Sequence, residues 1–232
     1  MPVNLLSLVS QIMGPLHGIL LFGSRVTGNV DEHSDIDVIA LADDVPSLRR
    51  MKISTPYGVL DVHLHSAASL RKAWQEQRKR YISFYTHALA TGEILLDVTG
   101  ELRVLAEESR QTWPKQDIKP DWTVYRLALM AKLGDIRRSQ ATIDAQLLAV
   151  DTYQTILAVH CLQVVGWLAS ALLMRRWCST ASPVQSHRLD QAFADAIAGM
   201  SGALAREAEA CLLDIGGPLS SQEALTWSGL AA

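Results

Sequence analysis

The chain has 232 residues, 49% of them hydrophobic and 19% charged, with a formal net charge of −3. That much apolar material builds one large domain or two small ones with a buried core, which excludes disorder as the main description. The charged share lies below the roughly 25% usual for soluble domains, and the near-neutral balance excludes wholesale polyanion binding as the expected role.

The first hundred residues alternate in an α/β manner. Residues 3–13 read as a helix, and HGILLFG (17–23), a short apolar run stopped by glycine, reads as a buried strand. The polar stretch 24–34, with Gly28-Asn29 in its middle, reads as a turn-rich loop. It leads into DIDVIAL (35–41), where acidic and apolar residues alternate before the run becomes wholly apolar, as in a strand with one end exposed. MKISTP and YGVLDVHLH flank a turn at Pro56-Tyr57-Gly58 and predict a hairpin. From Ser66 the periodicity becomes helical, and ATGEILLDVTG (90–100) reads as a turn and a short closing strand.

RQTWPKQDIKPD (110–121), with two prolines and mixed charge, is the expected linker. Beyond it the pattern is helical. Trp122, Tyr125, Leu129, Leu133 and Ile136 share one face behind an Asp121 cap, and an apolar helix follows over 151–177. A Ser/Pro loop (178–187) then precedes one amphipathic helix to Ile215, ended by Gly216-Gly217-Pro218. The expected class is α+β: a mixed-sheet domain over 1–110, then an all-helical bundle over 111–232.

Between Asp151 and Arg175 there is no charge, and TILAVHCLQVVGWLASALLM has the length, about 20 residues, that crosses a bilayer. His160, Gln163, Ser170 and the polar Asp-Thr-Tyr-Gln entry favour instead the central helix of a soluble bundle, so no membrane is expected. A homodimer or another partner on this helix is a further expectation. Cys161, Cys178 and Cys211 are scattered and odd in number, which suits a reduced, cytoplasmic chain. The opening MPVNLLSLVSQIMG carries no Lys or Arg and so lacks the basic start of a secretory signal.

The stretch that carries chemistry is Leu20-Leu21-Phe22-Gly23-Ser24-Arg25-Val26-Thr27-Gly28, followed six residues later by Asp35-Ile36-Asp37-Val38. A buried strand ends in Gly-Ser, a corner where a phosphate can approach the backbone and meet a hydroxyl and N–H groups. Asp35 and Asp37 emerge on one face of the next strand about 7 Å apart, with Ile36 and Val38 turned to the core. Two like charges so close are costly unless a cation lies between them, and hard oxygen ligands suit Mg²⁺ or Mn²⁺. Asp61 alternates with Leu60 and Val62, so it too should face away from the core, and an adjacent antiparallel strand would bring it beside the pair. Three converging carboxylates, metal ions and a triphosphate are the parts of in-line nucleotidyl transfer.

Gly23-Ser24, ten residues, Asp35-x-Asp37 and the later strand carboxylate Asp61 resemble the signature of the DNA polymerase β-type nucleotidyltransferase superfamily. The chain is similar to its small bacterial members, the minimal nucleotidyltransferases and the aminoglycoside nucleotidyltransferases with a helical C-terminal domain. The resemblance is specific over about residues 17–65 and only architectural after residue 120. It implies that Asp35 and Asp37 bind both metal ions, Mg²⁺ or Mn²⁺. Asp61 would complete the catalytic one, as or near the general base. Gly23 and Ser24, with Arg25 and Ser34 beside them, would bind the nucleotide.

The implied activity moves a nucleoside monophosphate, AMP from ATP, onto a hydroxyl of a protein or small-molecule acceptor and releases pyrophosphate. The alternatives are a non-catalytic interaction or antitoxin-type subunit and an aminoglycoside-type antibiotic nucleotidyltransferase. The acids after residue 120 are scattered, which weighs against the antibiotic reading.

Three further groups invite a functional reading. His63 and His65 share the strand face of Asp61; a metal or phosphate contact competes there with a polar strand face near the cleft. The run 71–80 sets Arg71, Lys72, Arg78, Lys79 and Arg80 against Glu76, with Trp74 among them. It reads as the solvated face of a helix with an aromatic core stripe before it reads as a phosphate clamp. Arg80 and His87 have an Arg-x6-His spacing reminiscent of the HEPN ribonuclease motif, with their position before the helical region against it. The acids cluster too: Asp31, Glu32, Asp35, Asp37, Asp43 and Asp44 fall within 31–44 with no Lys or Arg among them.

Overall fold

Leu5, Leu6 and Val9 fall on one side of the first helix, α1 (Leu5–Met13), and pack it onto a sheet. The computed structural model describes residues 5–28, 34–43, 45, 47–114, 120–136, 138, 143–220 and 223. The chain divides into two compact units, residues 1–116 and 117–232. Residue 110, where the sequence suggested a boundary, is the last residue of the first unit's final helix.

The first unit is a five-stranded mixed sheet in the order β3-β4-β2-β1-β5. Its strands are β1 (Gly18–Phe22), β2 (Ile36–Leu41), β3 (Arg49–Thr55), β4 (Gly58–His65) and β5 (Glu93–Asp97). β1 runs antiparallel to both β2 and β5, and β3 antiparallel to β4, whereas β2 and β4 pair in parallel. The hairpin between β3 and β4 turns at Pro56-Tyr57 as its turn residues require. The loop expected over 24–34 instead opens with a helical turn, α2 (Ser24–Thr27), closed by Gly28; residues 29–33 lie outside the described part.

Helices cover both faces of the sheet. α3 (Ala67–Lys79) begins at a reciprocal cap, Ser69 N–H to Ser66 Oγ at 3.2 Å and Ser66 N–H to Ser69 Oγ at 3.1 Å. Tyr81, with φ of 59°, separates it from α4 (Phe84–Thr91). α5 (Glu101–Arg110), which the sequence pattern did not single out, is anchored by Asp97, whose carboxylate accepts from the N–H groups of Leu102 and Arg103.

Strand alternation sorts the side chains. Ile36, Val38, Ala40, Leu60 and Val62 pack with Ile19 and Val9 on the α1 face. Ile39, Leu41, Leu20 and Phe22 pack with Leu70, Trp74, Leu89 and Leu102 on the face covered by α3, α4 and α5.

The second unit is helical: α6 (Thr123–Ile136), α7 (Ile143–Val164), α8 (Ala171–Ala181), α9 (Pro183–Ile197) and α10 (Gly202–Asp214). The N–H of Thr123 donates to Asp121 Oδ1 at 2.9 Å, the expected cap, and Leu129, Leu133 and Ile136 are buried as the stripe predicted. Three other expectations fail.

The apolar stretch 151–177 is not one helix. Gly166 takes φ of 83° and donates its N–H back to the Cys161 carbonyl at 3.1 Å, which ends α7, and Ser170 caps the start of α8. The loop expected over 178–187 shrinks to Ser182, because Pro183 lacks the N–H that a first helical residue does not use. The long amphipathic helix that followed is two helices, α9 and α10. By length and composition α7 is apolar enough to cross a bilayer, but half of that window is buried within the unit, among the core residues Tyr153, Ile156, Leu157 and Cys161.

Candidate active site

Register builds the site. Phe22 of β1 pairs with Asp37 of β2, Asp37 with Asp61 of β4, and Asp61 with Lys52 of β3, so one row crosses four strands. Side chains in such a row point to one face. Here it is the face that α3, α4 and α5 cover further along, where the next row holds Leu20, Ile39, His63 and Arg50. Asp35 stands just before β2, two residues from Asp37.

The expected approach of Asp61 is therefore corrected. It reaches Asp37 across a parallel pair, not an antiparallel one, and it is 1% exposed beneath neighbouring side chains, not on a solvent face.

Two cations unremarked at the sequence level complete the cluster. Arg50 grips Asp61 with both arms, Nε to Oδ1 at 3.0 Å and Nη2 to Oδ2 at 2.7 Å. Lys52 Nζ donates to Asp35 Oδ2 at 2.5 Å and lies 3.5 Å from Asp61 Oδ2. Their signal was present: counting back from the turn at Pro56-Tyr57 pairs Lys52 with Asp61 and sets Arg50 two residues away on the same face.

The electrostatics divide the three carboxylates. The Arg50 guanidinium holds the Asp61 carboxyl below its ordinary range. Burial, and then the charges of Asp61 and Asp35, push Asp37 above it, despite Lys52 and Arg50. Among the described residues Asp37 has no cation hydrogen-bonded to it.

Gly23 follows directly on the row. Its φ of 78° with ψ of −152° is a conformation that only glycine adopts readily, and a Cβ there would collide with the Asp37 carboxylate. Ser24 is the first residue of α2, whose opening N–H groups have no partner within the helix. The Gly-Ser corner thus lies against Asp37. Arg25 and Ser34 come together differently: Arg25 Nη2 donates to the carbonyls of Ser34 at 3.3 Å and Tyr57 at 3.4 Å, tying the loop to the hairpin.

The histidines split. His65 is fully buried between Ser69 Oγ at 3.0 Å and Tyr85 Oη at 2.8 Å, and burial, with His63 nearby, brings its pKa down to about 4, so it is a neutral structural bridge. His63 borders the site: Nε2 lies 3.8 Å from Asp61 Oδ1 and the ring packs on Phe22 and Phe84, and burial lowers its pKa too.

Three of the five cations of the basic run 71–80 are engaged elsewhere. Arg71 pairs with Glu108, Lys79 with Glu76, and Arg78 lies over the buried Trp74 ring at 4.7 Å. His87 is packed on Trp113.

Asp35 and Asp37 fit a divalent cation by donor type and by the negative charge gathered around Asp37, whose ionised form a cation would favour. Asp61 does not, because both its oxygens are on Arg50. Among the described residues no group of three His, Cys, Asp or Glu side chains forms a ready metal cage.

A mixed sheet with a Gly-Ser corner, an Asp-x-Asp strand and a third carboxylate, here in parallel register, is the arrangement expected from the sequence resemblance. The sequence model of the nucleotidyltransferase domain family matches residues 5–96, the body of the first unit and less than half of the chain. Among solved structures the chain is similar to a nucleotidyltransferase-like protein from Exiguobacterium sibiricum. Identity there is 13%, coverage is 95% of this chain and 82% of the other, and the TM-score is 0.42. It is also similar to the spectinomycin adenyltransferase of Enterococcus faecialis, solved with ATP and spectinomycin, at 11% identity over 90% and 96% of the two chains, with a TM-score of 0.36. Neither likeness is close enough to bear on function. No curated protein sequence matches the chain.

Proposed function

We propose that the chain is a metal-dependent nucleotidyltransferase of the cytoplasm that moves AMP from ATP onto a hydroxyl of a protein or small-molecule acceptor, releasing pyrophosphate. One observation carries the reading: the Gly23-Ser24 corner abuts Asp37, in a row of the sheet that sets two carboxylates, Asp37 and Asp61, against one cation, Lys52. The free thiols Cys161, Cys178 and Cys211 suit a reducing compartment.

Asp35 and Asp37 would hold the divalent ion, which when bound supplies positive charge to the triphosphate and to the departing pyrophosphate. The rest falls to the chain. Gly23 lets phosphate oxygens approach the backbone, and Ser24 offers a hydroxyl and an N–H to them. Lys52, once Asp35 turns to the cation, presents its ammonium toward the same oxygens. In the reaction the acceptor oxygen bonds to the α-phosphorus as the bond to the bridging oxygen breaks. The acceptor proton passes to solvent rather than to Asp61, whose proton affinity Arg50 lowers.

The test is transfer of label from α-³²P-ATP, with Mg²⁺ and cell extract, to a protein or small molecule. Wild type should label an acceptor and Asp35→Ala should not; failure of wild type both to bind nucleotide and to transfer label ends the reading. Arg50 and Lys52 seated on two of the carboxylates favour a second reading, a non-catalytic subunit of this fold, which binding without transfer would select.

A further inference from the structure

We propose that Arg50 is a built-in cation standing where Asp61 would otherwise bind metal, so that this chain loads a single divalent ion, at Asp35 and Asp37. The inference rests on the nucleotidyl-transfer reading and narrows its cofactor.

Asp61 has two oxygens, and each receives one arm of the Arg50 guanidinium, at 3.0 and 2.7 Å. A divalent ion such as Mg²⁺ sits about 2.0–2.1 Å from its carboxylate oxygen, closer than a hydrogen-bonded nitrogen, so it reaches Asp61 only after the guanidinium leaves. The remaining approaches are taken as well: Lys52 Nζ is 3.5 Å from Oδ2 and His63 Nε2 is 3.8 Å from Oδ1.

Arg50 is also fixed by the fold. Its place opposite His63 follows from the β3–β4 register, two pairs along from Lys52 and Asp61 on the same face. Its planar fork matches a carboxylate geometrically and sheds water more readily than an ammonium does.

The outer carboxylates differ in how they are held. Asp35 is held on one oxygen only, by Lys52, whose side chain is about as exposed as that of Arg50 (54% against 57%), and Asp37 has no cation of its own among the described residues. A lysine on one oxygen is a single point contact, which an incoming divalent ion displaces more readily than a guanidinium seated on two. The exchangeable positions are therefore Asp35 and Asp37, and the fixed one is Asp61.

Mn²⁺ alone, without nucleotide, is titrated into the full chain and the free ion is counted by electron paramagnetic resonance. Wild type should bind one Mn²⁺. The paired variant Asp61→Asn/Arg50→Gln, which replaces the ion pair by two amides, should also bind one, with Kd within about threefold of wild type. Arg50→Gln alone, which releases Asp61, should bind two. Two ions or none on wild type, loss of binding by tenfold or more in the paired variant, or a single ion on folded Arg50→Gln overturns the inference. If Arg50→Gln fails to fold, the paired variant decides. Label transfer measured in parallel separates the claims: transfer with two ions bound overturns the inference alone, and one ion without transfer overturns the enzymatic reading alone.

Discussion

The two units handle charge in opposite ways. In the helical unit five of the seven described Lys and Arg side chains meet acids in pairs. Arg175 is bidentate on Asp190, which also accepts from Tyr153 Oη at 2.6 Å, while Lys132 meets Asp151 and Arg188 meets Glu207. Arg126 joins Glu223 to the carbonyls of Gly217 and Pro218. On the sheet, three carboxylates face two cations, and the unbalanced one, Asp37, is the residue against which the Gly23 backbone is pressed. Paired charges orient helices at little net gain or loss. An uncompensated carboxylate costs stability, and a fold that keeps one does so for what it binds.

The sharpest way to break that contrast is Asp37→Asn. It should cut label transfer by about a thousandfold or more, because the ligand charge is gone. It should also raise the thermal midpoint, because it relieves burial and two like charges. A lower midpoint with activity intact would place the carboxylate among the structural pairs.

Next in size is the pH response of the first unit. His65 is pulled down to about 4 when folded, from an ordinary value near 6.5, so between these the unfolded chain binds the extra proton. Stability should be full above pH 6.5 and fall toward pH 4, by about 3 kcal/mol at most. Urea unfolding at stepped pH checks this, and His65→Gln should flatten the slope.

Gly23→Ala should cost about 2 kcal/mol from its backbone alone, with the carboxylate displaced as well, seen as joint loss of stability and Mn²⁺ binding. In the helical unit, Asp190→Asn should cost about 1–2 kcal/mol in urea unfolding, with Mn²⁺ binding unchanged. The smallest effect is expected for Lys72→Ala on the exposed face of α3. Its stability should shift by no more than about 0.5 kcal/mol, with nucleotide binding unaltered, which would confirm the basic run as scaffold.

Much of the first unit could be read locally. The Gly-Ser stop after an apolar run, the Asp-x-Asp alternation and the Pro56-Tyr57 turn are each set by neighbours within a few residues, and each appears where its pattern put it. What could not be read locally was partnership. Alternation says that Asp61 and Asp37 leave their strands on defined sides; whether their strands run parallel, and whether helices cover that side, depends on residues far along the chain. Arg50 and Lys52 stand between the two cases: the turn sets them beside Asp61 locally, but only the β2–β4 pairing brings that ion pair to Asp37. In the helical unit, periodicity ran straight through Gly166 and Ser182, because an apolar stripe continues in phase whether the chain goes on or doubles back.

By itself, then, the amino-acid sequence determined the elements of the sheet, the carboxylates and the glycine corner, since strand period and turn chemistry are short-range. Only the tertiary structure decided how the charges divide. The parallel register of β2 and β4 sets Asp61 beside Asp37, and the hairpin register delivers Arg50 to one and not to the other. Charge balance depends on distances of a few ångströms across strands, which no count of acids and bases along the chain contains.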